Sequence, residues 1–349
     1  MMGRSRRQKL LIIVTIAVLA FGGFVAWRFH TDIEQAKARV ASGGTLVSTP
    51  CGVIEYQEAG SGTPLLAVHG SGGGYDQGMA FAAQLTRRGV RVIAMSRFGY
   101  LRTPMPADAS AAAQAAAHVC LLDALGIRAA ALLGGSAGAP SALQMAIRHP
   151  DRVSALILLA PLAYKPPTEA NSTEPMASWI ESLMMTAIGS DFLFWSGMQL
   201  SREAMIDTVL ATPPELLTSI SPAEKARIDA MLHNILPVSA RAAGLRSDSA
   251  VGKKLGPSPL NAVRAPTLII AARDDGYGTF ASAEYTARNI AGARFLGFDT
   301  GGHTWVGHND EVMEAIATLI VPAKAATSPM TDNATRPTLH VPNLRQDIP

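Results

Sequence analysis

Ala130-Ala131-Leu132-Leu133 leads into Gly134-Gly135-Ser136-Ala137-Gly138, and the helix-compatible segment Ala139 to Arg148 leads out of it. An apolar run, a G-x-S-x-G string and a helical segment in succession describe a strand, a sharp turn and a helix. The flanking glycines let the backbone close up around a serine held in a strained conformation. Ser136 is therefore predicted to stand at the C-terminal edge of a sheet.

A serine hydroxyl is a poor nucleophile at neutral pH, so it needs a base within hydrogen-bond reach and a carboxylate to orient that base. Both follow downstream, in the order Ser, Asp, His. Pro266-Thr267-Leu268-Ile269-Ile270 reads as a buried strand with Asp274-Asp275 just past its end, where open parallel sheets place their ligand sites. The run Arg294 to Phe298 then leads to Gly301-Gly302-His303, a histidine on a glycine turn. Upstream, Leu65 to Val68 enters the turn His69-Gly70-Ser71-Gly72-Gly73-Gly74. Its backbone N–H groups, at Ser71 or Gly72, would join that of Ala137 in binding an oxyanion. A phosphate loop is the rival reading of this turn, but the Gly-Lys-Ser/Thr ending is absent.

Short apolar runs bounded by Gly or Pro recur at Leu65 to Val68, Val90 to Met95, Ala130 to Leu133, Val153 to Leu159, Thr267 to Ala271 and Arg294 to Phe298, mostly with Ala-rich helical stretches between them. Strand alternating with helix predicts an α/β fold, a mostly parallel central sheet with helices on both faces. The alternation lapses at residues 162–259. Helix-like pieces such as Met176 to Ile188 and Arg202 to Leu210, separated by Pro166-Pro167, Pro213-Pro214, Pro222 and Pro237, predict an inserted helical cap between core segments 45–161 and 260–321.

In this order and at these strand ends, the His69-Gly70 turn, the Ser136 elbow, Asp275 and His303 resemble the α/β-hydrolase superfamily, over roughly Thr45 to Ile320. Ser96-Arg97-Phe98-Gly99-Tyr100 is similar to that family's D-R-x-G-x-S turn, with Ser96 in place of Asp and Leu101 in place of Ser. The resemblance implies that Ser136 is the nucleophile, His303 the general base and Asp275 the orienting acid. Asp275 is chosen because the family's acid lies nine residues after the proline that opens the strand, here Pro266. Asp274 is then a solvated or turn-capping neighbour. The implied activity is that of an esterase or lipase. Carbon–carbon bond hydrolase, thioesterase, acyltransferase and cofactor-free haloperoxidase are alternatives on the same fold, and a non-catalytic binding module is the alternative from another class. Filled positions for all three triad members argue against the last. The chemistry calls for no metal or organic cofactor.

His69 reads as structural, His149 as the end of the helix after the elbow and His308 as the approach to the last helix. His118, His233 and His340 show no partner pattern. A zinc site from His303 and His308 lacks the H-E-x-x-H ligand set. Met176, Trp179, Met184, Met185, Phe192, Phe194, Trp195 and Met198 give the cap an apolar, adaptable roof, suited to an acyl chain or aromatic group. Trp179, Phe194 and Trp195 are the candidate substrate contacts. No cluster of Arg or Lys marks a site for an anionic substrate.

The 349 residues carry only 16% Asp, Glu, Lys and Arg and a formal net charge of +3, with mean hydropathy +0.19. Arg4, Arg6, Arg7 and Lys9 supply that excess, so the rest of the chain offers no nucleic-acid surface. From Leu10 to Trp27 the chain is uncharged, about 27 Å if helical, close to the hydrocarbon thickness of a bilayer. The basic residues before it predict a cytoplasmic N-terminus and a body on the far side of the membrane. Residues 1–30 are thus read as an anchor. A cleaved secretory signal is the main alternative, a twin-arginine signal and a buried helix lesser ones. Residues 31–44 are read as a polar spacer lifting the body off the bilayer, and 322–349 as a disordered tail. Cys51 and Cys120 are too few for a disulfide framework and are read as two free, packed thiols, with a bridge in an oxidising compartment as the alternative.

Overall fold

A computed structural model describes residues 6–166 and 189–321. The predicted helix Met176 to Ile188, Trp179 with it, and the tail 322–349 lie outside the described residues.

The chain opens with a long helix, α1 (Arg6–Gly43), followed by strands β1 (Thr45–Thr49), β2 (Gly52–Ala59) and β3 (Thr63–Val68). Next come α2 (Tyr75–Ala82), β4 (Val90–Met95), α3 (Ala111–Ala124), β5 (Ala130–Gly135), α4 (Ala139–Arg148) and β6 (Val153–Leu159). Between β6 and β7 (Thr267–Ala272) lie α5 (Asp191–Leu200), α6 (Arg202–Val209), α7 (Pro222–His233) and α8 (Ala242–Lys253). The core then closes with α9 (Phe280–Asn289), β8 (Arg294–Phe298) and α10 (Asn309–Ile320).

All eight strands form one sheet in the order β1-β2-β4-β3-β5-β6-β7-β8. Strand β2 is antiparallel to both neighbours, and the other five pairings are parallel. Side chains alternate across the strands, so the near-continuous apolar runs serve two cores. Leu66, Val68, Ile93, Leu132, Leu156 and Ile269 pack with Leu121 of α3, Leu143 of α4 and Ala283 of α9. Leu65, Ala67, Val92, Leu133, Ile157 and Ile270 pack on the other face with Phe81 of α2 and Ile316 of α10. The α/β fold and its helix-covered sheet are as expected.

The hairpin β1–β2 was not among the predicted strands. Only Ile54 and Glu55 of β2 are buried, so its apolar signal is too dilute to read. This hairpin also corrects the cysteine reading. It lays the β1–β2 turn against α3, and Cys51 is disulfide-bonded to Cys120 with the Cα atoms 6.1 Å apart, inside the range a disulfide requires. A sequence separation of 69 residues gives no hint of that approach.

Among the described residues the cap is helical throughout. Helices α5, α6 and α7 begin on serines: Ser190, Ser201 and Ser221 each accept a hydrogen bond from the backbone N–H three residues on. Helix α7 adds Pro222 at its first position and Glu224 at its third, a strong start signal.

The segment read as a spacer is corrected as well. Residues 31–43 continue α1 without a break, and Ile33, Ala36 and Val40 are buried. Ile33 and Ala36 share a core with Phe194, Trp195, Ile228, Leu232 and Leu236 of the cap. The small and branched residues at a helical spacing make a docking stripe that the polar majority of this segment conceals.

Candidate active site

Strand β5 ends at Gly135, and Ser136 takes φ +46°, a left-handed conformation that costs a non-glycine residue about 1–3 kcal/mol. The neighbouring glycines make the turn possible by close approach. A Cβ on Gly134 would come 2.7 Å from Ala142 Cβ, and one on Gly138 would come 2.5 Å from the His69 carbonyl oxygen. Helix α4 can therefore start directly behind the serine.

Beyond β7, the two adjacent aspartates separate in role. His303 Nδ1 lies 2.9 Å from Asp275 Oδ2, while Asp274 accepts from the backbone N–H groups of Gly301 (3.1 Å) and Gly302 (2.7 Å). Asp274 thus fastens the turn that carries His303, and Asp275 holds the imidazole itself. Asp275 also accepts from Tyr277 N at 2.9 Å and from the Thr279 hydroxyl. Burial pushes its carboxyl pKa up, but the His303 contact and these two donors outweigh burial and hold it below the ordinary value. The Tyr277 ring stands edge-on to His303 at 4.9 Å, its hydroxyl donating to Val209 O.

After β3, Ser71 and Gly72 face the same cavity as Ser136 and His303. Ala137 follows Ser136 at the start of the helical turn and is buried. His69 is structural: one ring nitrogen lies 2.7 Å from Gly70 O, and the other accepts from Arg97 N at 2.9 Å. Burial, with Arg97 nearby, holds its pKa well below 6.5. Arg97 lies at the centre of this region. Its guanidinium donates to the carbonyls of His69 and Gly70 and makes two 2.7 Å bonds to Asp248 of α8. Asp248 also accepts from Tyr100 and, at 2.9 Å, from Ser71 Oγ. Burial alone would lower the Arg97 pKa; the Asp248 carboxylate reverses that and raises it. One cap carboxylate thereby fixes the turn that would bind an oxyanion. The sequence reading missed Asp248, since nothing in the chain links it to residues 148 to 177 positions earlier.

A cavity of about 170 Å³ brings these groups together, lined by Ser71, Ser136, Phe194 and His303 and by apolar groups including Leu210, Ile235, Val238 and Leu245. Phe194 lines it as expected. Trp195 does not: it turns away toward α1, where its Nε1 donates to Asp32 Oδ2 at 2.9 Å and its ring meets Phe29 edge-on. Two neighbours on a helix point about 100° apart, so only one of the pair reaches the cavity. Ile235 and Val238 were missed; their signal is the short apolar run Ile235-Leu236-Pro237-Val238.

A family model described as the alpha/beta hydrolase fold matches residues 63–306. The chain is 38% identical over 119 residues to 2-hydroxymuconate semialdehyde hydrolase of Pseudomonas putida, a match covering 32% of this chain and 41% of that protein. It spans about two fifths of the length of the curated relatives it matches first. An alpha/beta hydrolase fold protein from Nakamurella multipartita superposes with a TM-score of 0.67 at 29% identity, over 80% of this chain and 99% of that one. An esterase from Exiguobacterium antarcticum shares the fold with a TM-score of 0.60 at 22% identity, over 79% and 99% of the two chains.

Proposed function

The chain belongs to the alpha/beta hydrolase fold family, and from that premise we propose that it is a membrane-anchored serine hydrolase acting on apolar carboxylic esters or related acyl substrates. Ser136 Oγ attacks the acyl carbonyl while His303 takes its proton. Asp275 keeps the imidazole oriented and steadies its positive charge. Backbone N–H groups at Ser71 or Gly72 and at Ala137 bind the oxyanion, each donor contributing about 2.7–4 kcal/mol to transition-state stabilisation. Water activated by the same histidine then releases the acid.

The reading is carried by one observation: a histidine in contact with a buried aspartate opens onto the same apolar cavity as a serine in a strained turn. A fluorophosphonate probe tests it. The native protein should label and Ser136→Ala should not; no labelling of the first, or equal labelling of the second, removes the hydrolase reading. A series of p-nitrophenyl esters graded by chain length then identifies the preferred acyl group.

The Pseudomonas putida relative favours a second reading, carbon–carbon bond hydrolysis. Its substrate class is a carboxylate, which a cavity would meet with a cation. Among the described residues that line this cavity there is no Arg or Lys, and residues 167–188 of the cap contain neither. The ester reading is therefore preferred.

Location is supported by two independent features. Helix α1 is long and apolar enough to be a membrane anchor or a signal sequence, and the Cys51–Cys120 bond is of a kind that persists in oxidising compartments. With basic residues ahead of the apolar stretch, both support a catalytic body on the non-cytoplasmic side. Resistance of the protein to carbonate extraction from membranes separates the anchor from a cleaved signal.

A further inference from the structure

Helix α5 presents different chemistry on its two sides. Phe194 reaches the cavity and Trp195 reaches α1, whereas Leu193 and Leu200, seven residues apart and so on one side of the helix, are 52% and 86% exposed. Phe192 beside them is 45% exposed. Three large apolar side chains in the open are many for a helix of 10 residues.

Where α5 sits explains them. The Phe29 ring of α1 lies edge-on to Phe192 at 5.2 Å and to Trp195 at 5.6 Å. Phe29 is two residues past Trp27, the last residue of the uncharged stretch, and so about 3 Å further along the helix axis. Val25, inside that stretch, packs against the same cap cluster. If Leu10 to Trp27 spans the hydrocarbon, α5 lies where hydrocarbon gives way to headgroups. Trp27 on α1 is a residue type that favours that level.

We propose that α5 is a second membrane contact, an interfacial helix whose Leu193 and Leu200 face rests on the leaflet from which α1 emerges, so that the cavity behind Phe194 receives lipid-derived acyl substrates from the bilayer. The occupant of this face is lipid because the face continues the apolar surface of the anchor at the anchor's own membrane boundary. The proposal rests on the anchor and hydrolase readings given above.

Both natural cysteines are disulfide-bonded, so a thiol introduced singly by Leu19→Cys, Leu46→Cys or Leu200→Cys carries the only label. The full chain, labelled with an environment-sensitive fluorophore, is placed in vesicles of phosphatidylethanolamine and phosphatidylglycerol. Brominated lipid should quench position 200 nearly as well as position 19, in the span, and aqueous iodide should quench only position 46. Position 200 behaving like position 46, or crosslinking to a second copy while shielded from lipid, overturns the proposal alone. Position 19 behaving like position 46 overturns the anchor reading and the proposal with it. In a second measurement, the double variant Leu193→Asp/Leu200→Asp should lose roughly tenfold in turnover of a long-chain ester held in vesicles and keep its kcat/KM on a soluble short-chain ester. Equal loss on both substrates, or loss on neither, overturns delivery from the bilayer; no turnover of either by the unmodified chain overturns the hydrolase reading instead.

Discussion

At the C-terminal edge of the sheet, Ser136, Asp275 and His303 each follow a strand, and backbone turns deliver Ser136 and His303 to one cavity with Asp275 against His303. The cap is held differently. Asp248 reaches Ser71 and Arg97 across 177 and 151 positions, Trp195 reaches Asp32 across 163, and Arg39 of α1 donates to Asn234 and to Leu236 O across 195 and 197. The edge is positioned by topology and the cap by a few long-range polar links to the core and to α1. Damage at the edge should therefore abolish chemistry with little loss of stability, and damage to the links should show first as a loss of stability.

The sharpest break in that contrast comes from the two adjacent aspartates. Asp275→Asn should lower kcat by roughly 10⁴-fold by removing the partner of the imidazole, with Ser136→Ala at least as severe. Asp274→Asn only loosens the turn that carries His303, and should cost roughly 10²-fold. Steady-state kinetics on one ester measure both. Comparable losses at the two positions would show that Asp275 has no special claim to be the acid.

The link at Asp248 should behave in the opposite sense. The side chains of Arg97 and Asp248 are only 7% and 9% exposed, so Asp248→Asn strands a buried guanidinium and should cost about 3–5 kcal/mol of stability by urea unfolding. The pair Arg91–Glu58, at 34% and 42% exposure, is screened by solvent, and Glu58→Gln should cost no more than about 1 kcal/mol. Equal costs for the two would mean that the cap is not held through Arg97.

The same division governs what could be read from the chain. Strands β3 to β7 were legible because strands buried on both faces read as near-continuous apolar runs, β8 was legible only from the short run Phe295 to Phe298, and the candidate site was legible because its residues follow those runs directly. Strands β1 and β2 were not, since an edge hairpin buries few side chains. Asp248, the Cys51–Cys120 bond and the docking of Ile33 and Ala36 depend on which distant surfaces meet, and local pattern carries no record of that. Trp195 marks the boundary: its burial was legible from composition, but the partner it turns to was not.

Acid should weaken the core through two buried histidines. His69 and His118 are buried in the core, and burial holds the first well below 6.5 and the second down to about 3. Both folded values are depressed, so the unfolded chain binds more protons as soon as pH falls below about 6.5. Stability from these two groups is complete above that pH and is lost on descending toward the folded values, at about 1.4 kcal/mol per pH unit for each histidine. Unfolding free energies should fall between pH 7 and pH 4.5, and His118→Gln should reduce that fall by about 1.4 kcal/mol per pH unit. An unaltered slope in the variant would assign the acid sensitivity to other groups.

The smallest effect is expected where the cap meets α1. Asp32 accepts the Trp195 indole N–H at 2.9 Å, yet its side chain is 20% exposed and also lies 3.6 Å from Arg28. Asp32→Ala leaves the indole N–H without that acceptor, but water has access to the site and can replace part of the bond, so about 1–2 kcal/mol is expected. Asp32→Asn keeps an acceptor and should lose less. If α1 and the cap form one cooperative body, the loss appears in global unfolding. If α1 detaches first, Asp32→Ala leaves global stability intact and only raises hydrogen exchange in residues 28–40, because a local opening then precedes the main transition. The second outcome would make α1 a tether, and the long-range links of the cap would reduce to those at Arg97 and its neighbours.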